Sequence, residues 1–445
     1  MMSSYFPQSD GRSLARSDRL AQRLVFWLLV ATLSYQSVLC LVHTHVFAIH
    51  TSTVALAEFL IYAGCLAALL RNLKLELMAI ASLVAAYLFL LALFRGALDI
   101  KGFRDIVIVI LFYWLGRTQG DIKMADRFLK VAIAIVLAFG FFELFFLDLY
   151  SRVFNVFSYY VNQGGLSGVK NWAEGSSLAL NGIRPAGIGR TILPALLGNH
   201  RVSSIFLEPV SLGNFAVIVA AWGLAKERSE WRQMLFFLGA SAIMITLADS
   251  RYGLLTVMAL ILMRVVFIGR MHALAMLLPA LCIAMLLGMA LMINGMHADN
   301  IIGRLYLTGT TLLGLGVGEI LGVKGFNSNF GDMGYAVILT RFGLLFFIVL
   351  WAAFWMIKMQ DQRGTRFRAY IAVYISLILA ISGTSLMALK TAGVLWFLVG
   401  CCAWREQTIE TKFENKDSDA DPDRHASANP NSNAYATNGE VNYAY

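Results

Sequence analysis

Charge is scarce in this chain: Asp, Glu, Lys and Arg make up 14% of its 445 residues, against 58% hydrophobic ones. That balance excludes an ordinary soluble globular protein, whose surface carries far more charge. Proline is scarce too, with seven in all, so few apolar runs are interrupted. The five cysteines, Cys40, Cys65, Cys282, Cys401 and Cys402, sit inside apolar runs. None has the loop spacing of a disulfide framework or a zinc site, so they read as packing residues. There is no Asp-rich motif or His cluster, and neither a metal nor a cofactor is expected. No small-residue cleavage site follows the first apolar run, which therefore reads as a retained span. No internal repeat is visible, and with it goes support for the inverted halves of many secondary transporters.

What is present is a series of about twelve apolar runs: 24–42, 46–70, 75–94, 105–115, 129–150, 209–225, 233–248, 253–268, 272–294, 333–357, 369–389 and 391–404. Each covers, or nearly covers, a bilayer. The expected fold is an all-α polytopic membrane protein. Its expected parts are a cytoplasmic N-terminal segment (1–23), spans one to five (24–150), a long loop (151–208), spans six to nine (209–294), a second loop (295–332), spans ten to twelve (333–404) and a disordered cytoplasmic tail (405–445). The net charge of +9 is assigned to orientation, not to nucleic acid. With the N-terminus inside, cytoplasmic segments hold nineteen Lys and Arg. The short outer loops hold only Arg95, Lys101, Arg104, Arg251 and Lys390. Both termini are then cytoplasmic, and both long loops face outward.

The densest polar stretch abutting a span is RPAGIGRTILPALLGNHRVSSIFLEPVSLGNF, residues 184–215, with Arg184, Arg190, His200, Arg201 and Glu208. Glu208-Pro209 reads as a helix start, because proline suits the first helical turn and steers its predecessor away from α geometry. Glu208 then stands at the membrane boundary. Arg201 is read either as an interfacial anchor or as a binding residue. Ionisable residues inside spans are candidates by default: Glu58, Glu143, and Arg341 about 13 Å into span ten by helical rise. Structural pairing is the alternative for each. Asp249-Ser250-Arg251 forms a tight turn between spans seven and eight. Gly314, Gly316 and Gly318 precede Glu319 without the βαβ context of a dinucleotide site, and let backbone approach a ligand or helix closely. Asp332 opens span ten as a cap or as a functional carboxylate.

Arginines gathered in a half-dry cavity suit a phosphate or pyrophosphate, since guanidinium stays charged and binds oxyanions bidentately. A neighbouring carboxylate or imidazole, Glu208 or His200, would take the proton of an attacking sugar hydroxyl. Arginine, not a metal, would then meet the leaving-group charge.

The pattern R-x-x-S-I-F-x-E-P-x-x-x-G-N-F at residues 201–215 resembles the hallmark segment of the O-antigen polymerase and ligase family. DSRYGLL at 249–255, GLGVG at 314–318 and D-x-G-Y at 332–335 resemble its later segments, and RSLARSDRL with LCLVHTHV resembles exopolysaccharide polymerases of the xanthan type. The resemblance implies a multi-span glycosyltransferase of the bacterial inner membrane with its active site facing the periplasm. It would join oligosaccharide repeat units carried on polyprenyl pyrophosphate, with membrane lipid, a chain-length regulator and a flippase as further partners. It further implies that Arg201, Arg251 and Arg304, with Arg190 nearby, face the pyrophosphate and that Glu208 holds or deprotonates the acceptor. Arg341, Asp332, Asp249 and Glu143 are secondary candidates. Family ligases usually carry a histidine in the late loop, where this chain has Asn327-Ser328-Asn329. That departure favours a polymerase and leaves His297 or His200 as substitute bases. The alternatives are a ligase transferring glycan to another acceptor and a lipid-linked sugar transporter.

Overall fold

Long runs of Leu, Ile, Val, Ala and Phe without proline can satisfy their backbone hydrogen bonds only within helices when water is absent, and helices are what the chain forms. The computed structural model describes residues 11–70, 73–163, 182, 190–266, 269–293, 301–325, 330, 333–382 and 385–404. The helices are α1 (Gly11–His45), α2 (Thr51–Leu69), α3 (Leu75–Arg95), α4 (Ile100–Gln119) and α5 (Ile122–Phe145), then the short α6 (Leu147–Val153), α7 (Val156–Asn162) and α8 (Pro194–Leu197). They continue with α9 (Pro209–Ala225), α10 (Trp231–Ala248), α11 (Arg251–Val266), α12 (Leu278–Met292), α13 (Ile301–Leu313) and α14 (Val317–Ile320). The last four are α15 (Gly334–Phe342), α16 (Leu344–Met356), α17 (Gln362–Leu379) and α18 (Leu389–Cys402). Among the described residues there is no β-sheet, only an isolated bridge between Met359 and Ala403.

Among the described residues, six helical stretches are long and apolar enough to cross a membrane: Leu20–His45, Thr51–Leu69, Leu75–Arg95, Ile122–Phe145, Arg228–Ala248 and His272–Met292. A seventh arises if α15 and α16 count as one broken span. The chain is thus a helical protein of the multi-pass membrane type. α9 and α18 are apolar but shorter, at 17 and 14 residues. α9 is the axis of the bundle, with every residue except Val210 buried. A helix apolar on all sides belongs in a core. By contrast α3 buries only Leu77 and Leu91 and lies at the periphery.

Several expected boundaries shift. The short run at 105–115 belongs to a 20-residue helix capped by the Asp99 carboxylate on Gly102 N–H at 2.8 Å. The expected tenth span, 333–357, is not straight: α15 and α16 meet at Gly343 with a 106° bend. Gly343 has φ +81°, and a Cβ there would lie 2.6 Å from Leu321 O. Only glycine tolerates both. The second long loop is helical in part, since α13 packs against α12 and α14 against α15. The run expected at 369–389 stops at Leu379, and a 3-10 turn at Ser385–Met387 precedes α18. Asp332, His297, Asn327, Ser328, Asn329, Arg184 and the 405–445 tail lie outside the described residues.

Candidate functional site

The polar groups gather at the two ends of the bundle. At one end, called here the Glu208 end, α1 and α5 finish, α10 hands over to α11, and α4, α9 and α18 begin. Residues 190–207 lie across it, held by three side chains that act on backbone. Buried Arg190 donates through Nε to Ile192 O at 2.9 Å, and its terminal nitrogens donate to His200 O, Thr246 O and Leu247 O. Asp249, fully buried at φ +48°, accepts from Thr191 N at 3.0 Å and Ile192 N at 2.9 Å. Glu143, also fully buried, accepts from Ser203 N at 2.9 Å and Ser204 N at 2.6 Å. A buried carboxylate costs far less when backbone N–H groups satisfy it.

These contacts place three of the expected site residues. Arg190, expected at the pyrophosphate, ties the 190–200 segment to the end of α10. Asp249 and Glu143, secondary candidates, clamp the same segment. His200, a candidate base, brings Nε2 within 3.1 Å of Glu143 Oε1, but without hydrogen-bond alignment, because the carboxylate is already aimed at backbone. Its partner is therefore Glu143, whereas Glu208 has a different one. Arg201 donates through Nε to Ala248 O at 3.0 Å, and Arg251 Nε reaches Thr191 Oγ1. The structure thus brings Arg190, Arg201, Asp249 and Arg251 together around one turn. Arg304 arrives on a separate element, α13, whose Thr308 Oγ1 reaches Ala380 O at 3.1 Å.

Glu208 occupies the N-cap position of α9, with 42% of its side chain exposed. Its Oε2 accepts from Ser211 Oγ at 2.9 Å and from Lys390 Nζ at 3.0 Å. Loss of water around its Oε2 end pushes the carboxyl pKa up, but the Lys390 ammonium, with the Ser211 and Tyr160 hydroxyls, more than reverses this and leaves it below its ordinary 4.5. Lys390 was expected in a loop. It lies instead in the first turn of α18, almost wholly buried, and donates also to Gln36 Oε1 and Phe206 O, both at 2.8 Å.

From Lys390 a continuous polar chain crosses the end of the bundle. Gln36 Nε2 donates to Tyr35 Oη at 3.3 Å, and Tyr35 Oη donates to Glu58 Oε1 at 2.8 Å. Arg104 Nη1 donates to Glu58 Oε2 at 3.2 Å and its Nη2 to Asp105 Oδ1 at 2.7 Å. Arg341 Nη1 donates to Asp105 Oδ2 at 3.3 Å and its Nε to Asp99 Oδ2 at 2.7 Å. Because Asp99 caps α4, Arg341 stands at the level of that helix's first turn and not deep along a span. The bend at Gly343 explains the difference. Arg95 secures the bend, donating to the carbonyls of Gly322 and Arg341. Sequence reading missed Lys390, Gln36, Tyr35, Arg104, Asp105 and Asp99. The readable signals were the polar SYQS step inside the first run and the adjacent opposite charges of Arg104-Asp105.

No protein-family model, no curated protein and no solved structure matches this chain.

Proposed function

We propose that the chain is a membrane glycosyltransferase that polymerises polyprenyl-pyrophosphate-linked oligosaccharide units, working at the Glu208 end, facing the periplasm. In this reading the chain crosses the bacterial inner membrane twelve times and keeps both termini in the cytoplasm. The acceptor hydroxyl of an incoming unit loses its proton to the Glu208 carboxylate and attacks the anomeric carbon of the growing chain. The bond from that carbon to the pyrophosphate oxygen breaks, and polyprenyl pyrophosphate departs with the bonding pair. Arg201 and Arg251, with Arg304, meet the charge that develops on the leaving group. Arg190, Asp249 and Glu143 hold the loop that carries Arg201.

The observation that carries the reading is the placement of Glu208: a charged, part-exposed carboxylate on a buried ammonium, at the mouth of an apolar bundle. The segment that leads to it bears Arg201, and the α10–α11 turn on which Arg201 rests bears Arg251. The lowered pKa of Glu208 keeps the carboxylate ionised at neutral pH and able to accept a hydrogen bond from the acceptor hydroxyl, as a weaker base than an unpaired glutamate.

The test is the purified protein in lipid bilayers with a polyprenyl-pyrophosphate repeat unit, analysed on a gel. A ladder of sizes formed without added nucleotide supports the polymerase. Consumption of the unit only when a second lipid or protein acceptor is supplied assigns a ligase instead, and an unchanged unit in both cases rejects glycosyl transfer.

A further inference from the structure

A partly open cavity of about 460 Å³ lies among α4, α15, α16, α17 and α18, with α3 at its rim, and runs along α4 from Ile106 to Arg117. Its walls are apolar, among them Ile110, Phe346, Leu350, Phe354, Leu379 and Trp396. One end is different. There Glu76, Tyr113, Trp114 and Arg117 close the lining, at the C-terminal end of α4. The Arg117 guanidinium lies 5.2 Å from the centre of the Trp114 ring and 3.4 Å from Glu76, whose side chain is mostly exposed. Trp114 itself is buried, and its indole N–H has no acceptor.

We infer that this cavity binds one acyl chain of an anionic phospholipid, with the headgroup phosphate at Arg117. The dimensions agree: from Ile106 to Arg117 a helix rises about 16 Å, roughly half of a ~30 Å hydrocarbon core. The lining therefore matches the depth of a single leaflet, with its polar end where headgroups lie. The volume is in the range of pockets that enclose a small apolar ligand. Charge complementarity selects the headgroup. An exposed Arg–Glu pair contributes little, so a phosphate that takes the guanidinium bidentately displaces Glu76 at small cost. The inference is independent of the polymerase reading, because neither Arg117 nor the cavity takes part in it.

The test is native mass spectrometry of the full-length protein in detergent, titrated separately with phosphatidylglycerol and phosphatidylcholine of the same chain length. The expected result is one tightly held phosphatidylglycerol, bound about tenfold more strongly than phosphatidylcholine. Arg117→Gln should erase that preference, lowering phosphatidylglycerol binding much more than phosphatidylcholine binding, because both headgroups carry the phosphate but choline's cation already offsets it. Ala353→Trp, which fills the cavity, should weaken both lipids. Arg117→Gln removes an interfacial side chain and leaves the core intact, so it decides the matter even if Ala353→Trp does not fold. Equal binding of the two lipids, a preference that survives Arg117→Gln, or binding of polyprenyl phosphate to the exclusion of phosphatidylglycerol would each overturn the inference.

Discussion

The two ends of the bundle solve the problem of buried charge in different ways. At the Lys226 end, where α9 finishes and α5, α10 and α17 begin, cations meet carboxylates and ring faces directly. Fully buried Lys226 donates to both Asp126 oxygens, at 3.0 and 2.8 Å, and lies 5.4 Å from the Phe237 ring centre. Arg363 reaches Asp126 and stacks over Trp222, while Arg366 pairs with Glu227. The Glu208 end has such ion pairs too, but there Arg190, Asp249 and Glu143 also hold irregular backbone. Among the described residues, those with positive φ, Leu193, Ser204, Leu207 and Asp249 together with Gly96, Gly198, Gly322, Gly325 and Gly343, belong to this end. Left-handed backbone at non-glycine residues is costly and persists where surrounding contacts over-determine it. One end thus closes the bundle, and the other shapes a surface.

That contrast can be broken by mutation. Glu208→Gln should lower polymer formation by about a hundredfold or more, the usual contribution of a general base, while the protein inserts at normal abundance. A ladder of unchanged intensity would remove Glu208 from the chemistry. At the opposite end, Asp126→Ala takes from buried Lys226 its nearer carboxylate, leaving only Glu230 at 3.5 Å, and should cost about 3 kcal/mol of stability. Thermal unfolding in detergent reads that loss, with turnover per folded molecule unchanged; a selective loss of turnover would erase the distinction between the ends. Gly343→Ala should destabilise by about 1–3 kcal/mol, because its Cβ meets Leu321 O and its φ suits only glycine. It should also lower activity, since the α15–α16 bend places Arg341 at Asp99.

The smallest effect expected is one of pH. Glu208 has a folded pKa below its ordinary 4.5, so its pairing with Lys390 contributes fully above that value. The contribution is lost as pH falls through the lowered folded value. The melting-temperature difference between the native chain and Glu208→Gln should therefore stay constant from neutral pH down to about 5 and shrink only below 4.5. A difference that fades near neutrality would mean that Lys390 does not hold the carboxylate.

Much of the helical layout was legible in the residues. The helix starting at Pro209 and ending at Ala225 coincides with its apolar run, because proline sets the start and the run itself sets the length. The tight Asp249-Ser250-Arg251 turn was also readable, as was the place of Glu208 just before an apolar helix. Partners were not. Arg190 and Arg201 look alike in the sequence, yet only the fold reveals that Arg190 is directed at four carbonyls. Lys390, one residue from an apolar run, reads as a loop cation until α1 and residues 206–208 close around it.

The sequence by itself determined that this is a helical membrane-type protein, where most of its helices lie, and which few charged residues interrupt them. Composition and apolar length suffice for that, since a chain of this makeup satisfies its backbone locally. Only the tertiary structure decided the chain of contacts from Glu208 through Lys390, Gln36, Tyr35, Glu58, Arg104 and Asp105 to Arg341 and Asp99. Those residues come from separate helices, and hydrogen bonds a few ångströms long depend on helix packing and on the bend at Gly343, which no local pattern encodes.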